Sequence, residues 1–299
     1  MKTLIHCRRS LGWMWRALGL LILPAAVQSQ DYTYTTNNGA ITIVKYLGAG
    51  GAVAVPGKIT GLPVTCIGDR AFFSCTRLTR VTLSNTVVRI GEEAFRSCTS
   101  LASITMSTRV AHIGDGAFSC CVSLGGVTVP GGVTQIGDWV FSSCSGLTNV
   151  TMGDSVTSIG DSAFHSCGNL RSVAIPDTVT RIGDMAFFAC SRLPHVMIPG
   201  SVTRIGDYAF SRCTNLQSVY FKGNAPRLGS SVLEGDSHST VYYMPGATGW
   251  GTTWAGRPAT RWVGAPELVP ESDLAAVSAA ANPAAGKPEK SAKKRRRRP

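Results

Sequence analysis

The chain has 299 residues, 44% of them hydrophobic, and a formal net charge of +12. That charge sits at the two ends: residues 1–30 carry four basic groups and no acid, residues 287–299 carry eight basic groups and one acid, and the 256 residues between have 17 basic against 16 acidic. The middle of the chain is therefore nearly neutral, which argues against a nucleic-acid-binding surface there, since the basic pI belongs to a leader and a tail.

Residues 1–30 have the make-up of a secretory signal. Lys2, Arg8, Arg9 and Arg16 precede a short apolar run, Ala17 to Leu23, and the small residues from Pro24 to Ser29 offer a cleavage site near Ser29 or Gln30. The apolar run is shorter than the roughly 20 residues that span a bilayer. Residues 31–63 are predicted to form an N-terminal β-hairpin cap. Tyr32–Thr36 and Ile41–Val44 alternate apolar and polar residues on either side of Asn37-Asn38-Gly39, a strong hairpin turn signal.

From residue 64 to 221 the pattern IGDxAFxxC returns every 23 residues, with its isoleucines at Ile67, Ile90, Ile113, Ile136, Ile159, Ile182 and Ile205. A fixed period of this size marks a repeat solenoid. One 23-residue copy is too small to bury its own apolar face, so the seven copies must stack on a shared core and be capped at both ends. In the copy from Val156 to Pro176, Val156, Ile159, Ala163, Phe164, Cys167, Leu170, Val173 and Ile175 hold the inward places. Val173 and Ile175 alternate as a strand with one buried face should. Asp161-Ser162-Ala163-Phe164 reads as a short helical or 3₁₀ turn capped by its own aspartate. The glycine before that aspartate marks a corner that either lacks room for a side chain or needs positive φ. Parallel strands about 4.8 Å apart would make a sheet on the order of 35 Å long.

The run VTxIGDxAFxxCxxLxxVxIP, nearly unbroken from Val179 to Pro199 and again from Val202 to Phe221, resembles the BspA-like (bacterial surface-protein-A-like) class of leucine-rich repeats. The resemblance covers residues 64–221. It implies a β-rich leucine-rich-repeat array with a parallel sheet, export to the outside or the surface of the cell, binding of a protein or extracellular matrix ligand, and no catalytic residues. Residues 222–263, with the strand-like Val241–Met244 and with Trp250, Trp254 and Trp262, are expected to form a C-terminal cap. Residues 264–299 are rich in Ala, Pro, Lys and Arg without an apolar period, and are expected to be a disordered basic tail.

The columns that could carry chemistry have simpler structural roles. Cys75, Cys98, Cys121, Cys144, Cys167, Cys190 and Cys213 fall at an inward place and are expected to be reduced and buried, whereas Cys66 and Cys120 lie off the column and should react first. One acid per copy, Asp69, Glu92, Asp115, Asp138, Asp161, Asp184 and Asp207, is too few for calcium, which takes six to eight oxygens. The stretch Gly51–Lys58 misses the phosphate-loop spacing by one residue and has Ile59 where Ser or Thr is required. No GxSxG elbow or HExxH pair occurs, and neither a cofactor nor a small-molecule substrate is expected.

The candidate binding surface is the outward side of the main sheet. Most of it is a threonine ladder, but Arg171, Arg192, His195, Met197 and Tyr220 make a mixed cationic and aromatic patch of the kind enriched at interfaces, the alternative being that the closing segment covers it. The rival reading is an adhesive or envelope-bound structural protein in which the repeats are a spacer and the tail residues Lys293, Lys294, Arg295, Arg296, Arg297 and Arg298 contact anionic lipid, polymer or nucleic acid by charge.

Overall fold

A computed structural model describes residues 31–262; the leader and the basic tail lie outside the described residues. Within them the chain is a β-solenoid without any α-helix, and no helix is long and apolar enough to cross a membrane. Each rung places a longer strand, a short strand and a tight turn around one apolar interior. The longer strands, such as Gly126–Thr128, Asn149–Thr151 and Ser172–Ala174, pair in parallel with residues 23 positions apart facing one another. The short strands Gln135–Ile136, Ser158–Ile159, Arg181–Ile182 and Arg204–Ile205 do the same on a second side. The longer ladder breaks twice, between Ser103–Thr105 and Gly126–Thr128 and between Ser172–Ala174 and His195–Ile198. At the second break Pro194 removes a donor: the equivalent Arg171 donates its amide to Thr148 and Gln217 donates to Pro194, but Pro194 has no N–H to continue the chain of bonds.

The third side corrects the expectation of a helical turn. In the turn Ser162 and Ser166 have φ of 54° and 58°, and equivalent residues in the other rungs are likewise left-handed. That geometry points alternate amides along the solenoid axis. Ser162, Phe164 and Ser166 donate to Asp184, Ala186 and Phe188 of the next rung at 2.7–2.8 Å, so the turn is itself a hydrogen-bonded ladder between rungs. The amides between them close within the turn, as His165 does on Ser162 at 3.1 Å and Cys167 on Phe164 at 3.2 Å, so the bonds alternate between the turn and the next rung.

The aspartates also act between rungs. Asp138 Oδ1 accepts the amide of Asp161 at 2.7 Å, and Asp161 Oδ1 accepts that of Asp184 at 2.9 Å. Each carboxylate therefore caps the following rung and not its own turn. This explains the invariant glycine by lack of room and not by φ: a Cβ on Gly160 would stand 2.5 Å from Asp138 Oδ1 and 2.7 Å from the Gly137 carbonyl carbon.

Inside, Phe72, Phe95, Phe118, Phe141, Phe164, Phe187 and Phe210 are fully buried and stacked, with neighbouring ring centroids 4.8 to 5.6 Å apart. Beside them each buried cysteine donates its thiol to a phenylalanine carbonyl, as Cys167 does to Phe141 at 3.1 Å. Burial pushes the thiols of Cys121 and Cys167 up to about 12. The nine described cysteines are all free, and Cys75, at the open start of the column, is only half-buried.

The ends extend the array beyond the seven copies. At the start, Tyr32–Asn37 and Ala40–Tyr46 form an antiparallel hairpin around Asn38 and Gly39, both at positive φ, and Tyr46 stacks on Phe72 at 4.9 Å. Beyond Phe221 an eighth rung follows, in which Arg227–Leu228 pairs with Arg204–Ile205 and buried Leu233 takes the phenylalanine place. Asp236 takes the cysteine place there, 2% exposed, with neither carboxyl oxygen hydrogen-bonded. Trp254 packs edge-on against Phe221 with centroids 4.7 Å apart, and Trp250 stacks on Tyr243 at 4.9 Å, which closes the far end.

Candidate functional site

The main sheet presents Thr82 and its ladder partner Thr105 to solvent, and Thr128 beyond them. Toward the far end the composition changes as the sequence predicts, but the residues of the expected patch are not equally available. Arg171 and Arg192 are exposed at the strand approaches, and His195 and Met197 are half-buried on the strand His195–Ile198. Met197 pairs with Tyr220 across the ladder. The Tyr220 ring is covered: it is 5% exposed, stacked on Tyr242 at 5.1 Å and closed by Trp262 at 5.2 Å. Tyr220 thus supports the patch from beneath and offers no free ring, because the closing segment returns across its face. The tail cations Lys293–Arg298 fall outside the described residues.

Sequence reasoning missed the turn side. Because backbone bonds fix the turn whatever its outward side chains are, those positions differ from rung to rung. One outward column runs Arg70, Glu93, Gly116, Trp139, Ser162, Met185 and Tyr208. Trp139 and Met185 are exposed there, at 53% and 38%, as is Phe73 in the adjoining column, at 44%. Next to it His165 stacks on Phe188 at 5.0 Å, and the Arg212 guanidinium lies 5.4 Å over the Phe188 ring, a cation–π contact. Burial lowers the His165 pKa, which favours the neutral ring in that stack. A register of exposed apolar residues at the variable turn position would have been the sequence signal.

Around the early rungs this side is hollowed into a groove whose walls include Glu92, Glu93, Arg96, Asp115, Gly116 and Trp139. Arg70 and Arg96 both pair with Glu93, the first at 2.6 Å. Although burial alone would raise it, their hydrogen bonds hold the Glu93 carboxyl below the usual carboxylate range. Cys120 also lines the groove, half-buried, while burial pushes the thiols of Cys66 and Cys75 up. Among the described residues no group of three or more His, Cys, Asp or Glu is placed to hold a metal.

This geometry has relatives. The family profile described as BspA type leucine rich repeat region, in six copies, matches residues 65–194 and 141–250. A leucine-rich repeat protein of T. pallidum is 33% identical, with 70% of this chain and 88% of that one covered and a TM-score of 0.52. A leucine rich cell surface protein of Faecalibacterium prausnitzii is 30% identical over 73% of this chain and 76% of that one, with a TM-score of 0.49. A leucine-rich repeat protein from Bacteroides ovatus is 25% identical over 71% and 70%, with a TM-score of 0.46. No curated protein matches the chain.

Proposed function

Since the chain belongs to the BspA-type leucine-rich repeat family, we propose that it is an exported, non-enzymatic scaffold that binds a protein or matrix partner through its outward faces. One observation carries this: the residues that vary between rungs point outward, whereas the inward phenylalanine, cysteine and leucine places repeat almost unchanged. A stacked interior of that kind fixes a rigid surface without constraining what the surface displays. Export is supported by the signal-like residues 1–30 and by the cell-surface description of the F. prausnitzii relative.

On the sheet side the partner contact is placed at Arg171, Arg192, His195 and Met197, with Tyr220 holding Met197 in place. Replacing Arg171 and Arg192 by Ala and Met197 by Thr changes only exposed and half-buried groups and extends the threonine ladder. A partner isolated with the full chain should bind this variant at least about tenfold more weakly, a loss of about 1.4 kcal/mol. Unchanged affinity would place the contact elsewhere on the solenoid.

A further inference from the structure

We propose that the turn-side groove beside Trp139 receives a lysine or arginine side chain from an extended segment of a partner protein. This goes beyond the scaffold proposal and concerns a different face, so its failure would leave the sheet-side contact untouched.

The first argument is the indole itself. Trp139 has a φ of 54°, a conformation that a bulky L-residue adopts at a cost. Every rung holds its residue at this place in the same left-handed conformation, and the Trp139 ring remains 53% exposed. Its column neighbours are Gly116 and Ser162, and neither is large enough to cover a face of the ring. An exposed, uncovered indole is the best aromatic acceptor for a cation.

Charge supplies the second argument. Arg181 Nη2 stands 3.6 Å from Asp161 Oδ1 of the preceding rung. The short-strand column containing Arg181 continues as Arg204 and Arg227, and begins with Arg89. In between it reads His112, Gln135 and Ser158. The acids of the preceding rungs at those three places are Glu92, Asp115 and Asp138, which therefore have no arginine at the place from which Arg181 approaches Asp161. Glu92 and Asp115 line the groove with Trp139. Its two arginines, Arg70 and Arg96, are both bound to Glu93. The groove thus pairs uncompensated negative charge with an open aromatic face, the complement of a cationic side chain and not of an anion.

The test is fluorescence anisotropy of a fluorescein-labelled, acetylated hexa-arginine peptide titrated with the full chain at low ionic strength. Saturable binding is expected, weakened by salt. It should fall at least tenfold in Trp139→Ser, and at least tenfold in the double variant Glu92→Gln, Asp115→Asn. Asn at 115 keeps an acceptor for the Asp138 amide, which Asp115 Oδ1 accepts at 2.9 Å, so the melting temperature of each variant checks that the fold persists. Asp184→Asn, which lies outside the groove lining, should bind as the unaltered chain does. Equal binding by all variants would overturn the proposal, because attraction would then be diffuse. Binding that emerges only when Lys293–Arg298 are replaced by glutamine would also overturn it, by making the chain's own tail the occupant.

Discussion

Within one turn, neighbouring residues obey opposite rules. Ala163, Phe164 and Cys167 face inward and recur in almost every rung, while Ser162, His165 and Ser166 face outward and are replaced freely by Trp139, Phe188 or Arg212 at equivalent places. The backbone explains the contrast. Apart from the aspartate that caps across rungs, the turn is held by backbone amides and carbonyls, groups that every residue has. Outward identity is then set by what the surface contacts, and inward identity by what the stack can hold.

The largest test of the inward half is Phe164→Ala. The ring stacks between Phe141 and Phe187 at 5.4 and 5.1 Å, and its removal leaves a cavity that the ladders prevent from collapsing. Chemical denaturation should show a loss of about 3–5 kcal/mol.

Asp236 is the one polar intrusion into the inward cysteine column. Burial pushes its carboxyl up from 3.8 to about 7, against the pull of Arg257. A carboxyl with a folded pKa above its unfolded value stabilises the fold fully below about pH 4, and this contribution falls as pH rises to about 7 and is flat beyond. The fall amounts to at most about 4 kcal/mol. Asp236→Cys restores the column residue and should flatten stability between pH 4 and pH 8, as read from denaturant midpoints. A slope that persists would assign the titration to another group.

Gly160→Ala probes the boundary between the two halves. The added methyl meets Asp138 Oδ1 and backbone of the previous rung, and should cost about 1–3 kcal/mol. A loss below that range would mean that rungs can separate to admit it.

Most of the inward half was legible in the sequence, because stacking at a fixed interval repeats each inward residue every 23 positions. The hairpin was legible for a different reason, since Asn38-Gly39 carries its turn chemistry locally. The eighth rung was missed although Arg227-Leu228-Gly229 repeats Arg204-Ile205-Gly206, because Leu233 and Asp236 replace the phenylalanine and cysteine that mark the pattern. After it the interval shortens, with Tyr220 opposite Tyr242 and Tyr242 opposite Thr260. The cover over Tyr220 comes from Trp262, a packing between distant residues that no period encodes. The aspartate was assigned to its own turn because a cap within one copy and a cap between copies leave the same residue in the same place. The groove at Trp139 lay in positions that vary between copies, where a search for repetition finds nothing.

The measurement that tests the contrast most directly is a thermal melt of Trp139→Gly with and without the hexa-arginine peptide. Glycine relieves the positive φ but gives up the buried half of the indole, so the variant alone should melt close to the unaltered chain. Saturating peptide should raise the melting temperature of the unaltered chain and leave that of the variant where it is. A variant that the peptide stabilises as much as the unaltered chain would contradict the division of the turn into an inward half that folds and an outward half that binds.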